Sequence, residues 1–193
     1  MKFFFPLVAI MIMVSSRAQT IEPAPADKAV VYFARASDLG ALINFTFFDS
    51  TQVIGRFNGY KYMRYECAPG EHLFWARSEN KDFVRAKLEA GKIYIIDVVP
   101  QMGAVKAAVR MYPVNSKAYR LRPILRLFSK RDAVTFSESE LERIQLKMGE
   151  SIERGMERAD KLGDNMKFLG GTTFQPEELV FVKKKDLKRK SKN

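Results

Sequence analysis

Between Lys28 and Pro113 the chain alternates short apolar runs with turn-forming residues. The densest part lies between Ala68 and Pro100. Pro69-Gly70 marks a turn, because proline presets φ at the second turn position and glycine accepts a positive φ at the third. Strands over 73–78 and 82–88 follow, then a turn at Gly91 and a strand over 93–99. That last run is the most apolar and is expected mid-sheet. Upstream, strands are predicted over 30–35, 42–48, 52–57 and 60–67. Asp49-Ser50 turns the second of these into the third. Asn58-Gly59, the strongest two-residue hairpin signal, joins the third to the fourth. Over 105–112, Val105, Ala107, Val109 and Met111 alternate with Lys106 and Arg110, as in a strand with one wet face. The pattern predicts a mainly β protein, an antiparallel β-sandwich of about 7–8 strands.

Beyond Pro113 the apolar period lengthens. Residues 118–130 mix Leu121, Ile124, Leu125, Leu127 and Phe128 with Arg120, Arg122 and Arg126, and Pro123 suits the start of a short helix. Ser137 is followed three residues later by Glu140, a capping box that opens a helix over 138–162. Leu141, Ile144, Met148, Ile152, Met156, Ala159 and Leu162 form one apolar stripe, which Gly163 ends. Residues 30–33 and 93–99 are apolar on both faces, and a sandwich covers only one. The stripe is expected to cover the other, so that the C-terminal helical extension packs on one sheet. The expected division is a targeting peptide over 1–18, a linker over 19–27, a β-sandwich over 28–114, a helical extension over 115–163 and an irregular basic tail over 164–193.

Composition narrows the functional classes. Of 193 residues, 47% are hydrophobic, as in an ordinary globular protein. A single cysteine, Cys67, excludes an internal disulfide framework and a multi-cysteine metal site. Net charge is +11, but residues 183–193 alone carry seven bases and one acid. The basicity therefore belongs mainly to a tail, and nucleic acid is not expected as a partner. At the other end, Lys2 precedes an apolar run over 3–14, and Ser16-Arg17-Ala18 predicts signal cleavage between Ala18 and Gln19. A membrane span needs about 20 apolar residues, so no span is expected in the mature chain. No cysteine follows the run, so an N-terminal lipid anchor is not expected. The predicted destination is the periplasm, the outer envelope or the medium.

The succession VYFAR, FFDSTQVIG, NGYKY, PGEH and AGKIYIIDV resembles the bacterial exported family catalogued as domain of unknown function 2846, over 28–113. The resemblance implies an envelope or secreted β-sandwich module without assigned activity. Many members of such families are lipoproteins, and this chain departs from them in lacking the lipid-accepting cysteine.

Candidate chemistry is sparse. His72, the single histidine, would have to serve any histidine-based triad or metal site. Its place beside the Pro69-Gly70 turn predicts instead a ring hydrogen-bonded to nearby backbone. Cys67 shares strand parity with Met63 and Tyr65 and is expected to be a small buried hydrophobe. Arg64 and Glu66, on the opposite parity, suit a surface pair. Asp97 inside the buried strand needs a partner, for which Arg35 or Arg110 would serve. Asp49 is explained by turn chemistry. Asn44-Phe45-Thr46 matches a glycosylation sequon but falls within a predicted strand. Tyr60, Tyr62 and Trp75 suit either a binding strip or, as favoured here, a core tryptophan and two hairpin tyrosines with wet hydroxyls.

The sequence thus predicts a non-catalytic exported module with a binding or structural role in the bacterial envelope. No catalytic residue, cofactor or metal is expected. Its partner would be an envelope protein, a glycan or an anionic lipid surface. Contacts with an anionic surface would come from Lys183, Lys184, Lys185, Lys188, Arg189 and Lys190. The alternative is a hydrolase acting on envelope polymer through Asp97, Glu66 or His72, which requires these groups to converge in one cleft.

Overall fold

The computed structural model describes residues 21–102 and 107–182. The expected targeting peptide, its Ala18/Gln19 cleavage point, the basic clusters from Lys183 to Lys190, and Val105 and Lys106 of the last predicted strand lie outside the described residues.

The described residues form a mainly β sandwich of two mixed sheets flanked by helices. The first sheet has the order β4 (Lys61–Cys67), β1 (Ala29–Arg35), β7 (Ile93–Met102), β8 (Ala107–Pro113). The second runs β3 (Gln52–Phe57), β2 (Phe45–Asp49), β5 (Gly70–Arg77), β6 (Lys81–Leu88), β9 (Lys167–Leu169). The most apolar strand is central in its sheet, as expected. The expected antiparallel pairing holds except at β1–β7 and β6–β9, which are parallel. The 89–92 turn carries the chain from the second sheet to the first, so β7 enters beside β1 in the same direction.

Asn58-Gly59 does not close a hairpin. Gly59 has the positive φ of 67° that such a turn needs, but β3 and β4 belong to different sheets. The reason lies in the flanking aromatics. Phe57 stacks on Phe47 at 4.7 Å between the sheets, whereas Tyr62 is buried on the outside of the first sheet against Phe128 at 4.5 Å. The turn is a corner between layers.

Between the sheets, Val31 and Phe33 of β1 meet Phe47 and Phe74, with Phe33 centroids 5.6 and 5.4 Å from theirs. The opposite faces of β1 and β7, with Val30, Tyr32, Ile93 and Ile95, are not covered by the 138–162 stripe. Helix α1 (Arg122–Phe128) covers them with Ile124, Leu127 and Phe128, helped by Ile21, Val114, Phe174 and Leu179. Pro123 sits in the first turn of α1, as its fixed φ predicts.

The stripe covers the second sheet instead. The expected single helix is two: α2 (Glu138–Leu146), opened by the Ser137 hydroxyl accepting from the Glu140 N–H at 3.2 Å, and α3 (Gly149–Leu162). The break follows from an anchor. The Gln145 amide accepts from Val53 N at 2.7 Å and donates to Thr51 O at 2.9 Å, fixing the end of α2 to the β2–β3 hairpin. From there the chain must turn to bring α3 over Trp75, and Gly149 starts the new helix.

Residues 164–182 are not an irregular tail. β9 extends the second sheet, Phe174 N donates to Ile93 O at 3.0 Å, and a 3-10 turn at Pro176–Leu179 buries Leu179. The expected linker is likewise attached where described, since Ile21 is core.

Two outcomes check the helical layers. Gly155→Ala puts a Cβ 2.8–3.2 Å from the Trp75 ring, which is fully buried and stacked on Phe48 at 3.7 Å. Alanine gains about 1 kcal/mol of helix propensity, but overpacking a fixed ring costs about 1–3. A net loss of about 1 kcal/mol in urea denaturation is expected; a gain would mean that α3 stands off the sheet. Ile144→Asp forces a charge into a buried site and is expected to cost several kcal/mol, on the order of 3. An unchanged melting temperature would detach α2 from the sheet.

Candidate functional site

The three groups named for hydrolysis are held apart. Asp97 lies on the outer face of the first sheet, where its carboxylate accepts from the Tyr119 hydroxyl at 2.8 Å. Burial raises the Asp97 pKa, against the lowering effect of that hydroxyl. Neither expected arginine is its partner. Arg35 is completely buried and donates to the carbonyls of Leu39, Gly40 and Ile43 at 2.6–2.8 Å, so its job is to fold the 36–44 loop. Arg110 reaches Gln101 at 3.4 Å and Asp82 at 3.7 Å. Glu66 pairs with Arg64, which also donates to Pro23 O at 3.1 Å.

His72 faces inward from β5, stacked on Phe74 at 5.3 Å. Its Nδ1 lies 2.7 Å from Asp49 Oδ2 and its Nε2 2.9 Å from Ala68 O. The same Asp49 oxygen accepts from the Tyr65 hydroxyl at 3.2 Å. Cys67, buried as expected, closes the group. The hydrogen bond to Asp49, with Cys67 and the Ala68 carbonyl adding to it, pushes the His72 pKa up from 6.5 to about 10. Two acceptors flank the ring, so both nitrogens donate and the ring carries charge. It has no lone pair with which to take a proton, which is what a general base requires. The backbone contact was expected; the Asp49 contact was not, because 23 residues separate the pair.

The aromatic strip is not assembled. Trp75 lies under α3, and Tyr62 lies under α1 at 3% exposure, not with a wet hydroxyl. Among the described residues, no cluster of three or more histidine, cysteine or acidic side chains suits a metal. No helix among them is long and apolar enough to cross a membrane.

A groove of about 670 Å³ opens beside α1. Arg120, Arg122, Arg126, Lys130 and Arg131 line it, with Tyr60, Ala36 and Pro123, against one carboxylate, Asp38. The helix builds part of this wall directly: Arg122 and Arg126 lie four apart on one face, and Lys130 follows just past the helix end. No site was expected in this stretch; the spacing of Arg122 and Arg126 was the signal that could have marked it. The Arg122 guanidinium lies 5.3 Å over the Phe181 ring, one residue before the described chain ends.

No family model matches the chain, and no curated protein does.

The His72 ion pair has a pH signature. A folded pKa above the unfolded 6.5 contributes stability that is full below pH 6.5 and is lost as pH rises toward 10. His72→Ala is expected to cost about 2 kcal/mol at pH 6, the worth of a charge-assisted and a neutral hydrogen bond. The difference from wild type in urea denaturation should shrink toward pH 10; a difference constant over that range would mean a neutral ring.

Proposed function

We propose that the protein is a non-catalytic exported module that attaches to an anionic lipid surface of the bacterial envelope through the groove beside α1 and the basic tail. One observation carries this: five cations line that groove against a single carboxylate. Phe181 lies under Arg122, and Lys183, Lys184 and Lys185 come next but one in the sequence. Lys188, Arg189 and Lys190 add a second cluster. Each basic residue near an anionic surface contributes about 1 kcal/mol, screened by salt. Leu187 is the single large apolar residue of 183–193, so adhesion is electrostatic and not insertional.

Export rests on the charged and apolar pattern of 1–18 and agrees with the compartment of the family resembled over 28–113. The non-catalytic assignment is supported by His72, whose two ring nitrogens both face acceptors. It is supported too by Asp97 and Glu66, each engaged with a different neighbour.

Vesicle co-sedimentation tests the proposal. The chain from Gln19 onward is compared with a form ending at Val182 and with Arg122→Glu/Arg126→Glu, at low and high salt. Binding to phosphatidylglycerol vesicles should weaken about tenfold or more in each altered form, and in high salt. Equal binding by all forms, or binding indifferent to salt, refutes it. Binding to acidic glycan with none to vesicles transfers the groove to a different partner and likewise refutes it.

A further inference from the structure

A second basic groove, of about 540 Å³, lies across the sandwich from α1. Arg77 and Lys81 flank it from the β5–β6 turn, Arg110 from β8, and Arg154 and Arg158 from α3. These five cations come from three distant parts of the chain, so tertiary structure and no local run of charge brings them together.

The excess charge is not neutralised from within. Glu79 is the one acid in the lining. Glu150 pairs with Arg154 at 3.0 Å, but both are exposed to solvent. Asp82 stands 3.7 Å from Arg110 with its other oxygen already taken by Met111 N and Lys167. The Arg77 guanidinium donates to the Met148 sulfur at 3.8 Å and has no carboxylate partner among the described residues. Lys81 and Arg158 have no carboxylate partner among the described residues. Burial, with Arg154, Arg77 and Arg158 nearby, lowers the Lys81 pKa. Like charges held together in this way destabilise a fold unless an anion separates them.

The floor is held rigid. Asn80 accepts from Val109 N at 2.7 Å and donates to Val109 O at 2.9 Å, locking the turn to the neighbouring sheet. Ser78 N donates to Asn80 O at 3.0 Å, and the Ser78 hydroxyl to the Asn80 side chain at 3.1 Å. The backbone that carries Arg77, Lys81 and Arg110 is therefore set in place before any ligand arrives. Planar guanidinium forks supplied by three elements match the tetrahedral oxygens of phosphate. The volume lies in the range of small-ligand sites, and the walls are mainly polar.

We infer that this groove binds a compact ligand carrying two or more phosphate groups, held by Arg77, Lys81, Arg110, Arg154 and Arg158. It is separate from the surface contact proposed for the groove beside α1, and either assignment can fail without the other.

The test is calorimetric titration of the chain from Gln19 onward with inorganic pyrophosphate at fixed ionic strength. Saturable binding of one pyrophosphate per chain is expected. Arg154→Ala/Arg158→Ala changes exposed helix positions to the best helix former, so the fold is retained. This variant should bind about tenfold weaker or worse, at the scale of a lost charge-assisted hydrogen bond. It should also lose the rise in melting temperature that pyrophosphate gives the wild type. Arg122→Glu/Arg126→Glu should bind pyrophosphate as the wild type does. Absence of saturable binding, equal binding by Arg154→Ala/Arg158→Ala, or an equal effect of sulfate at the same ionic strength overturns the inference. So does loss of binding in the α1 variant alone. Displacement of pyrophosphate by vesicles carrying a long-chain prenyl pyrophosphate would identify a lipid headgroup as the source of the phosphates, and no displacement a soluble ester.

Discussion

The parallel pair β1–β7 is apolar on both faces, and the remaining layers exist to keep water from it. Every residue of β1 is buried. One face of the pair is closed by the second sheet. The other needs a separate cover, which α1, Ile21 and the Phe174–Leu179 strap supply together. Closing one face with a sheet creates a new demand, because the second sheet has its own outward aromatics, Phe48, Trp75 and Phe83. Helices α2 and α3 meet it, and Gly155 lets α3 come down onto the indole. A fully buried aromatic side chain contributes about 2–3 kcal/mol, so leaving either outer face open would remove a large part of a domain's margin of about 5–15 kcal/mol. The four layers follow from that arithmetic.

Open sheets also leave edges with unpaired backbone groups, a route to edge-to-edge association. Here side chains, and at one point backbone, from other elements engage them. Asn80 takes both backbone groups of Val109, and Asp82 takes Met111 N while Lys167 takes Met111 O. Gln145 does the same for β3, and Val134 N donates to Tyr62 O beside β4. These contacts fix the offset of one sheet against the other, which apolar packing alone leaves loosely defined. Asp82 is 7% exposed, and its ion pair with Lys167 carries a desolvation cost. Its return is positional: it ties β6, β8 and β9 at one point.

Strand positions, the centrality of β7, the helix start at Ser137 and its stop at Gly163 were legible because each is a local property. What was not legible depends on long-range partners. Asn58-Gly59 states its backbone conformation correctly, but whether the next strand pairs with the last or crosses to another sheet is decided by which core takes Tyr62. The helix break is set by Gln145 reaching a hairpin more than 90 residues earlier. The stripe was assigned to the wrong sheet because α1, only seven residues long, was too short to count as cover. Likewise Tyr119, outside the strands, answers for Asp97 in place of the expected arginines. The groove beside α1 was missed, although Arg122 and Arg126, four apart, carry a local signal for it. The groove under α3 had no such signal, since no stretch of sequence contains it.

The two ends of the sandwich differ in how charge is treated. Ala68, Asp49 and His72 gather at the end where β5 begins, and there each donor meets an acceptor. The opposite end holds the C-terminal ends of β1 and β5, linked because the 36–44 loop carries β1 into β2, whose Thr46 pairs with Arg77. Both basic grooves border that end, through Ala36 and Asp38 on one side and Arg77 and Lys81 on the other. Charge that is matched within the fold has spent its free energy on the fold. Charge of one sign gathered in excess raises the energy of the free protein, and an anion placed there would lower it. An ion pair at one end and an excess of cations over carboxylates at the other therefore set apart a fully matched group of charges from two clusters in which charge of one sign prevails.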